Sequence, residues 1–420
     1  MKHSFFGYKN AYNGRLFLLC WIAYFSTYIC RLNFSAVMPE LLNSGSFTQS
    51  QTAAVSSAFF ICYGAGQLFS GVLGDRFSPR ILIFLGVTIS ALSNILIFAF
   101  SFSYAALMLL WALNGIAQSL VWTPILKIAG DCFSEGEKTK FGVDISTTVP
   151  LGTLASYGVS LLTLLILEWK YVFLVCGIIV LLAGIYWIAG TAGLNKRIKA
   201  SKEDSVAENE TAHILSGKAL VKAIFISGTA ALMLPIAFQG TLKDSVTQWI
   251  PTFLESEYDM GTSLSLALTM ILPVINVTGA YFARMINKKL KNELATSAAF
   301  FGIAAIFLIF LLICGTKSAV ISLICMAGIT NCMFAINVML ITMVPLRFSK
   351  YGRTGTIGGL LNAVAYIGCG LLNMGAGAIL ENSTGWSALF IMWLAIAVTA
   401  AVITLLSIKR WKRFTETDQT

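Results

Sequence analysis

Charged residues are scarce in this sequence. Asp, Glu, Lys and Arg make up 11% of the 420 residues, whereas hydrophobic residues make up 57%. A soluble domain carries about 25% charged residues, and the mean hydropathy here is +0.79. This shortage excludes an ordinary soluble domain and predicts a polytopic membrane protein.

The positive charge that is present is unevenly distributed. The net charge is +10, and most of the 29 Lys and Arg residues fall in short polar segments on one side of the predicted spans. Membrane proteins keep such segments in the cytoplasm. We therefore interpret the basic residues as topology signals within a lipid bilayer, and we expect no nucleic acid as a partner.

Histidine is almost absent, and the cysteines form no recognisable pattern. His3 and His213 both lie in segments predicted to be cytoplasmic, so no histidine proton relay is expected inside the membrane. The nine cysteines lack the spacing of a disulfide framework or a metal site and are interpreted as packing residues. Without a nucleophile–base set or a phosphate-cradling glycine loop, we expect neither an enzyme nor a bound cofactor.

Long apolar runs define the predicted fold. A membrane span needs about 20 apolar residues, and twelve such runs occur: 15–41, 49–73, 81–101, 105–130, 141–165, 171–193, 222–250, 262–285, 294–314, 318–345, 354–380 and 387–408. The basic segments alternate with segments in which Lys170 and Lys317 are the only basic residues. The sequence therefore predicts an all-α membrane protein with twelve transmembrane helices and both termini in the cytoplasm.

The longest polar segment divides the chain. Residues 194–221 carry both basic and acidic residues and are predicted to form a cytoplasmic linker, with a regulatory binding segment as the alternative. The linker separates a six-helix bundle at 1–193 from a second at 222–408, and residues 409–420 form a cytoplasmic tail.

Two cations lie inside apolar spans at matching places in the two halves. Arg31 precedes Pro39 by eight residues, and Lys243 precedes Pro251 by eight residues. If both prolines mark the outer ends of their spans, each cation lies about 12 Å from such an end. Because a buried charge usually faces a cavity or a partner, we predict that the two cations bind one anion. The alternative is that each snorkels or pairs with a carboxylate. Asp244 lies about 100° round the helix from Lys243 and is not expected to be its partner.

Aromatic residues and a further lysine complete the candidate cavity. The aromatic candidates for its walls are Tyr24, Tyr28, Tyr63, Trp122 and Trp249, although such residues also anchor membrane interfaces. Lys127 is predicted either to contact the substrate or to pair with Asp144 of the next span.

One loop motif points to a known superfamily. Gly71-Val-Leu-Gly-Asp75-Arg76, after the second span, matches the cytoplasmic signature of the major facilitator superfamily, which the 6+6 arrangement also resembles. This resemblance implies a substrate site near the bilayer midplane between two rocking halves. It also implies that Asp75 and Arg76 contribute to a cytoplasmic gate, with simple topology anchoring as the alternative. The expected location is the cell inner (plasma) membrane, as a multi-pass protein and a monomer.

Three spans resemble a narrower family. Tyr28-Ile-Cys-Arg31-Leu-Asn-Phe34, followed by Met38-Pro39, resembles the first span of the organophosphate:phosphate antiporters. Leu113-Asn-Gly-Ile-Ala-Gln118 with Trp122-Thr-Pro124 and Lys127 is similar to their fourth span, and Lys243 through Leu254 to their seventh. The resemblance implies that Arg31 and Lys243 coordinate the substrate phosphate and that Tyr24, Tyr28 and Tyr63 line the cavity.

Two positions depart from that family pattern. The family has Lys where this chain has Gln67, one turn after Tyr63, and its glycerol-phosphate branch has a span-five histidine that is lacking here. Gln67 is therefore a candidate substrate contact, and the site of this chain has one cation fewer than that of the family. The loss of this cation leaves three alternatives open: a carboxylate as the substrate, a monoanionic phosphoester as the substrate, or a different coupling partner.

The resulting hypothesis is a secondary active transporter of organic anions. It would exchange a sugar phosphate or glycerol phosphate for inorganic phosphate by alternating access. Two like cations would oppose closure of the empty site, which suits obligate exchange. The alternatives are a proton-coupled carboxylate symporter, an efflux pump and a transporter-like sensor. The first is an alternative because the anion:cation symporters share the Arg-x-Asn and Trp-x-Pro signatures.

Overall fold

The computed structural model describes residues 7–8, 10–100, 103–193, 217–348, 354–382 and 385–416. Within these ranges the regular structure is helical. The helices in chain order are α1 (Ala11–Asn43), α2 (Gln49–Arg76), α3 (Pro79–Phe100), α4 (Tyr104–Cys132), α5 (Glu135–Ser146), α6 (Thr148–Leu164), α7 (Lys170–Ala192), α8 (Gly217–Ser227), α9 (Thr229–Tyr258), α10 (Thr262–Thr269), α11 (Ile271–Leu290), α12 (Glu293–Cys314), α13 (Ala319–Asn337), α14 (Val344–Leu346), α15 (Thr354–Asn382) and α16 (Ser387–Glu416). A short π-helix, Val338–Met343, joins α13 to α14.

The helices match the predicted membrane spans. Eleven helical stretches are long and apolar enough to cross a membrane, and the bent pair α8 and α9 makes a twelfth if it forms one span. Each predicted apolar run coincides with one of these stretches, which confirms the all-α membrane fold. The cytoplasmic location of the termini stays a prediction.

The two prolines that follow the candidate cations neither end nor break their helices. Pro39 and Pro251 do not end their spans, because α1 continues to Asn43 and α9 continues to Tyr258. Proline is tolerated within membrane helices, where neighbouring groups satisfy the freed carbonyls. The break in α1 lies instead at Cys30, whose backbone angles of φ −90° and ψ 17° are not helical. The bend of 74° between α8 and α9 lies at Gly228, which has φ +81°.

The chain forms two compact units. The first contains Met1–Val37 and Ala65–Ala212, and the second contains Met38–Gly64 and His213–Thr420. In the first unit α3 packs against α4 and α7; in the second, α9 packs against α13, α15 and α16. The boundaries between the units fall inside α1 and α2.

Two glycines bring α9 and α15 into close contact within the second unit. A Cβ atom at Gly240 would lie 2.4 Å from the Ala365 carbonyl oxygen, and one at Gly368 would lie 2.4 Å from the Ala237 Cβ. Small residues allow membrane helices to approach in this way. The approach places residues 365–369 of α15 beside the turn of α9 that precedes Lys243.

Candidate functional site

Arg31 is buried in the first unit and is held by two neutral groups. Arg31 is 7% exposed, and its Nε donates a hydrogen bond of 2.9 Å to Gln118 Oε1 on α4. Its Cζ lies 4.5 Å from the centroid of the Tyr28 ring. An aromatic face attracts a cation. The hydrogen bond to Gln118 therefore fixes the edge of the guanidinium, and the Tyr28 ring fixes its plane.

The break in α1 positions Arg31. Because Cys30 is not helical, α4 supplies hydrogen-bond partners to its carbonyl oxygen: Asn114 Nδ2 donates at 2.7 Å and Gln118 Nε2 at 3.2 Å. Ser90 Oγ in turn donates to Asn114 Oδ1 at 2.6 Å. Gln118 therefore binds both the broken turn and the guanidinium, and the sequence analysis did not assign it this role.

Three predicted aromatic residues form one group with Arg31. The Tyr24 and Trp122 ring centroids are 4.7 Å apart, and the hydroxyl oxygens of Tyr24 and Tyr28 are 3.5 Å apart. We call Arg31, Tyr24, Tyr28 and Trp122 the arginine cluster. The structure thus brings together, inside one unit, four residues that the sequence analysis selected separately.

Gln67 contacts α4. Its Nε2 donates to the Ser119 carbonyl oxygen at 3.4 Å, and its Oε1 accepts from Thr123 Oγ1 at 3.3 Å. The residue is 4% exposed. Lys127 lies one turn beyond Thr123 and is half-buried.

Asp144 lies in a separate group of contacts at the start of the fifth predicted span. It pairs with Lys140 Nζ at 3.0 Å and accepts a hydrogen bond from Tyr8 Oη at 3.2 Å. Lys140 Nζ also lies 4.6 Å from the Tyr8 ring centroid. Burial raises the pKa of Tyr8, and the negative charge of Asp144 raises it further. These contacts tie the segment before α1 to α5.

Lys243 lies at the centre of α9 with a carboxylate beside it. Its Nζ is 3.4 Å from Asp244 Oδ2, and the side chains are 13% and 23% exposed. The expectation that Asp244 is not a partner is wrong, because the flexible lysine stem reaches back to its neighbour. Lys243 Nζ also lies 5.3 Å from the Tyr366 ring centroid and 6.0 Å from that of Phe334.

Tyr63 joins this group through Tyr366. The two ring centroids are 4.6 Å apart at an interplanar angle of 65°, and Tyr63 is buried. We call Lys243, Asp244, Tyr366, Phe334 and Tyr63 the lysine cluster. Tyr366 was not among the predicted site residues, although it is the only aromatic residue in the predicted span 354–380.

The remaining predicted residues lie elsewhere. Trp249 is fully buried in the second unit, where its Nε1 donates to Asn373 Oδ1 at 2.9 Å and its ring lies 6.1 Å from that of Trp386. These contacts lie within the second unit, and the role of Trp249 in the cavity wall stays a prediction. Asp75 and Arg76 lie at the end of α2, and their side chains are outside the part of the chain that the structure describes.

Comparison with known proteins identifies the fold and the family. The family model described as Major Facilitator Superfamily matches residues 20–372. Among solved structures, the xylose transporter XylE from E. coli, in a partially occluded inward-open conformation, has a TM-score of 0.74 at 15% identity. The match covers 94% of this chain and 98% of that one.

Curated relatives agree with the narrower resemblance. A probable hexose phosphate transport protein of Chlamydia trachomatis is 23% identical, over 93% of this chain and 90% of its own. A glycerol-3-phosphate transporter of Bacillus subtilis is 23% identical, over 95% of this chain and 93% of its own. The membrane sensor protein UhpC of Salmonella typhimurium is 34% identical, but only over 28% of this chain and 26% of its own. The family model thus confirms the predicted superfamily, and the names of these relatives are consistent with the resemblance to the organophosphate:phosphate antiporters.

Proposed function

The chain belongs to the Major Facilitator Superfamily and is a multi-pass membrane transporter, not an enzyme, and we propose that it exchanges a phosphorylated small molecule for inorganic phosphate. The organic partner is a sugar phosphate or glycerol phosphate, as the names of two relatives suggest. Arg31 and Lys243 bind the phosphate group, and the protein works as a monomer.

One observation carries this proposal: each unit holds a largely buried cation in contact with an aromatic ring. Arg31 packs on Tyr28 at 4.5 Å and Lys243 on Tyr366 at 5.3 Å, measured to the ring centroids. Arg presents a planar fork that matches phosphate, and Lys presents a compact charge. Keeping charges inside membrane helices is costly, so their retention supports a role in binding an anion.

The test is exchange in reconstituted vesicles. Purified protein is placed in liposomes loaded with inorganic phosphate, and uptake of labelled phosphate is measured; unlabelled glucose 6-phosphate or glycerol 3-phosphate is then added outside as a competitor. We expect Arg31→Ala and Lys243→Ala each to reduce exchange by about tenfold to a hundredfold, the loss of a hydrogen bond to a charged group. Lys317→Ala, an exposed cation, is the matched control and should leave exchange unchanged.

Coupling to phosphate is favoured over coupling to protons. A proton-coupled symporter or efflux pump needs a carboxylate that exchanges a proton during the cycle, and Asp144 and Asp244 are two carboxylates within the predicted spans. Asp144 pairs with Lys140 and Asp244 with Lys243. Uptake driven by a proton gradient into vesicles without internal phosphate would contradict the exchange proposal.

A sensor is the second candidate, because one relative is named a membrane sensor protein. A sensor would bind the same phosphorylated ligand through the arginine and lysine clusters and pass no substrate. Phosphate or hexose phosphate binding to purified protein, with no exchange in vesicles, would favour this function. Measurable exchange would exclude it.

A further inference from the structure

We infer that Asp244 is a charge-selectivity residue, which restricts the anion bound at Lys243 to a single negative charge. The inference rests on the proposed function, since it assumes that Lys243 binds the substrate anion.

Asp244 lies in the middle of its helix. Lys243 and Asp244 are the two central residues of the 30-residue helix α9. The other charged residues of this helix, Glu255 and Glu257, lie in its last turns. An acidic group in the middle of a membrane helix is expensive, and such residues usually serve function.

Asp244 places a negative charge beside Lys243. Asp244 Oδ2 lies 3.4 Å from Lys243 Nζ, and both side chains keep some exposure, 23% and 13%. Two rings from other elements also lie near the Lys243 Nζ, Tyr366 on α15 at 5.3 Å and Phe334 on α13 at 6.0 Å, and both are neutral. With the carboxylate ionised, the Lys243–Asp244 pair itself carries a net charge of zero, not +1.

An anion that reaches the Lys243 ammonium must approach the Asp244 carboxylate. At these distances and in low dielectric, like charges repel strongly. Each extra negative charge on the ligand increases the repulsion, so a monoanion is favoured over a dianion of the same shape. Phosphate esters exist in both forms near neutral pH, so the residue selects one form of the substrate.

The experiment uses two probes of fixed charge and similar size, methanesulfonate with one negative charge and sulfate with two. Their ability to displace labelled phosphate is measured on detergent-purified protein at neutral pH, for the wild type and for Asp244→Asn. Wild type should prefer methanesulfonate. The substitution should shift the preference toward sulfate by about tenfold, the effect of removing one nearby charge. Asp244→Glu should keep the wild-type preference, and Glu257→Gln removes a charge from the same helix as a matched control.

Each outcome is decisive. An unchanged preference in folded Asp244→Asn would overturn the inference; if that variant does not fold, Asp244→Ser takes its place. A shifted preference supports it, even if vesicles show no phosphate exchange, in which case the proposed exchange alone fails. Wild-type protein that binds none of these anions would overturn both.

Discussion

Gln118 makes two hydrogen bonds that place Arg31. Its Oε1 accepts from the guanidinium Nε at 2.9 Å, while its Nε2 donates to the carbonyl oxygen of Cys30, the residue directly before Arg31, at 3.2 Å. The Gln118 side chain therefore stabilises the backbone break at Cys30 and also orients the guanidinium of Arg31.

Gln118→Leu should weaken phosphate binding and spare the fold. Loss of a hydrogen bond to a charged group is worth about 1.5–3 kcal/mol, so we expect the apparent KM for phosphate exchange to rise by about tenfold or more. The maximal rate should change less, because Arg31 is displaced and not removed. Ser119→Ala is the matched control, since the Ser119 Oγ donates within its own helix turn, to the Ile116 carbonyl oxygen. Equal exchange curves for the two variants would show that Gln118 does not position Arg31 for phosphate binding.

Tyr366→Leu should reduce the affinity for phosphate through Lys243. The ring contact with the lysine is worth about 0.5–2 kcal/mol, which corresponds to a loss of about twofold to thirtyfold in affinity. Tyr366→Phe keeps the ring face and should bind as the wild type does. Binding of labelled phosphate to purified protein measures both, and a Phe variant as weak as the Leu variant would assign the effect to the hydroxyl.

Gly368→Ala should destabilise the second unit. The added Cβ would lie 2.4 Å from the Ala237 Cβ, and such overpacking costs about 1–3 kcal/mol. Gly375→Ala on the same helix meets open space and is the control. Thermal unfolding in detergent should show a lower Tm for the first variant alone. Similar Tm values would mean that α9 and α15 can separate without cost.

Tyr8 should make stability fall at alkaline pH. Burial first, and then the Asp144 charge, raise the pKa of Tyr8 above its usual value of about 10. The unfolded chain therefore loses this proton at a lower pH than the folded chain. The stabilisation is complete below about pH 10 and is lost as pH rises toward the higher folded-state pKa. Tyr8→Phe should flatten the fall of Tm in this range, whereas Tyr281→Phe, an exposed tyrosine, should leave it intact.

The sequence predicted spans and buried cations well because both follow from hydrophobicity alone. About 20 apolar residues fix a span, and an Arg31 or Lys243 inside such a run is conspicuous. Tyr24, Tyr28 and Trp122 were found because helical spacing and a family motif place them near Arg31.

Contacts between helices were not predictable in the same way. The pairing of Lys243 with Asp244 depends on the conformation of a flexible side chain, not on the angle between Cα positions. The ring of Tyr366 reaches Lys243 because Gly240 and Gly368 allow α9 and α15 to touch, which requires knowing that these helices are neighbours. The break at Cys30 has no proline to mark it, and two amides from α4 support it.

The order of synthesis constrains how the second unit forms. Residues Met38–Gly64 belong to this unit but leave the ribosome long before His213. Asn43 donates to Glu255 at 2.7 Å, and Thr48 donates to Glu381 at 3.0 Å, across 212 and 333 residues of chain. Contacts between distant parts of a chain form late. The end of α1 and the first part of α2 therefore gain these neighbours only after the last spans have been synthesised.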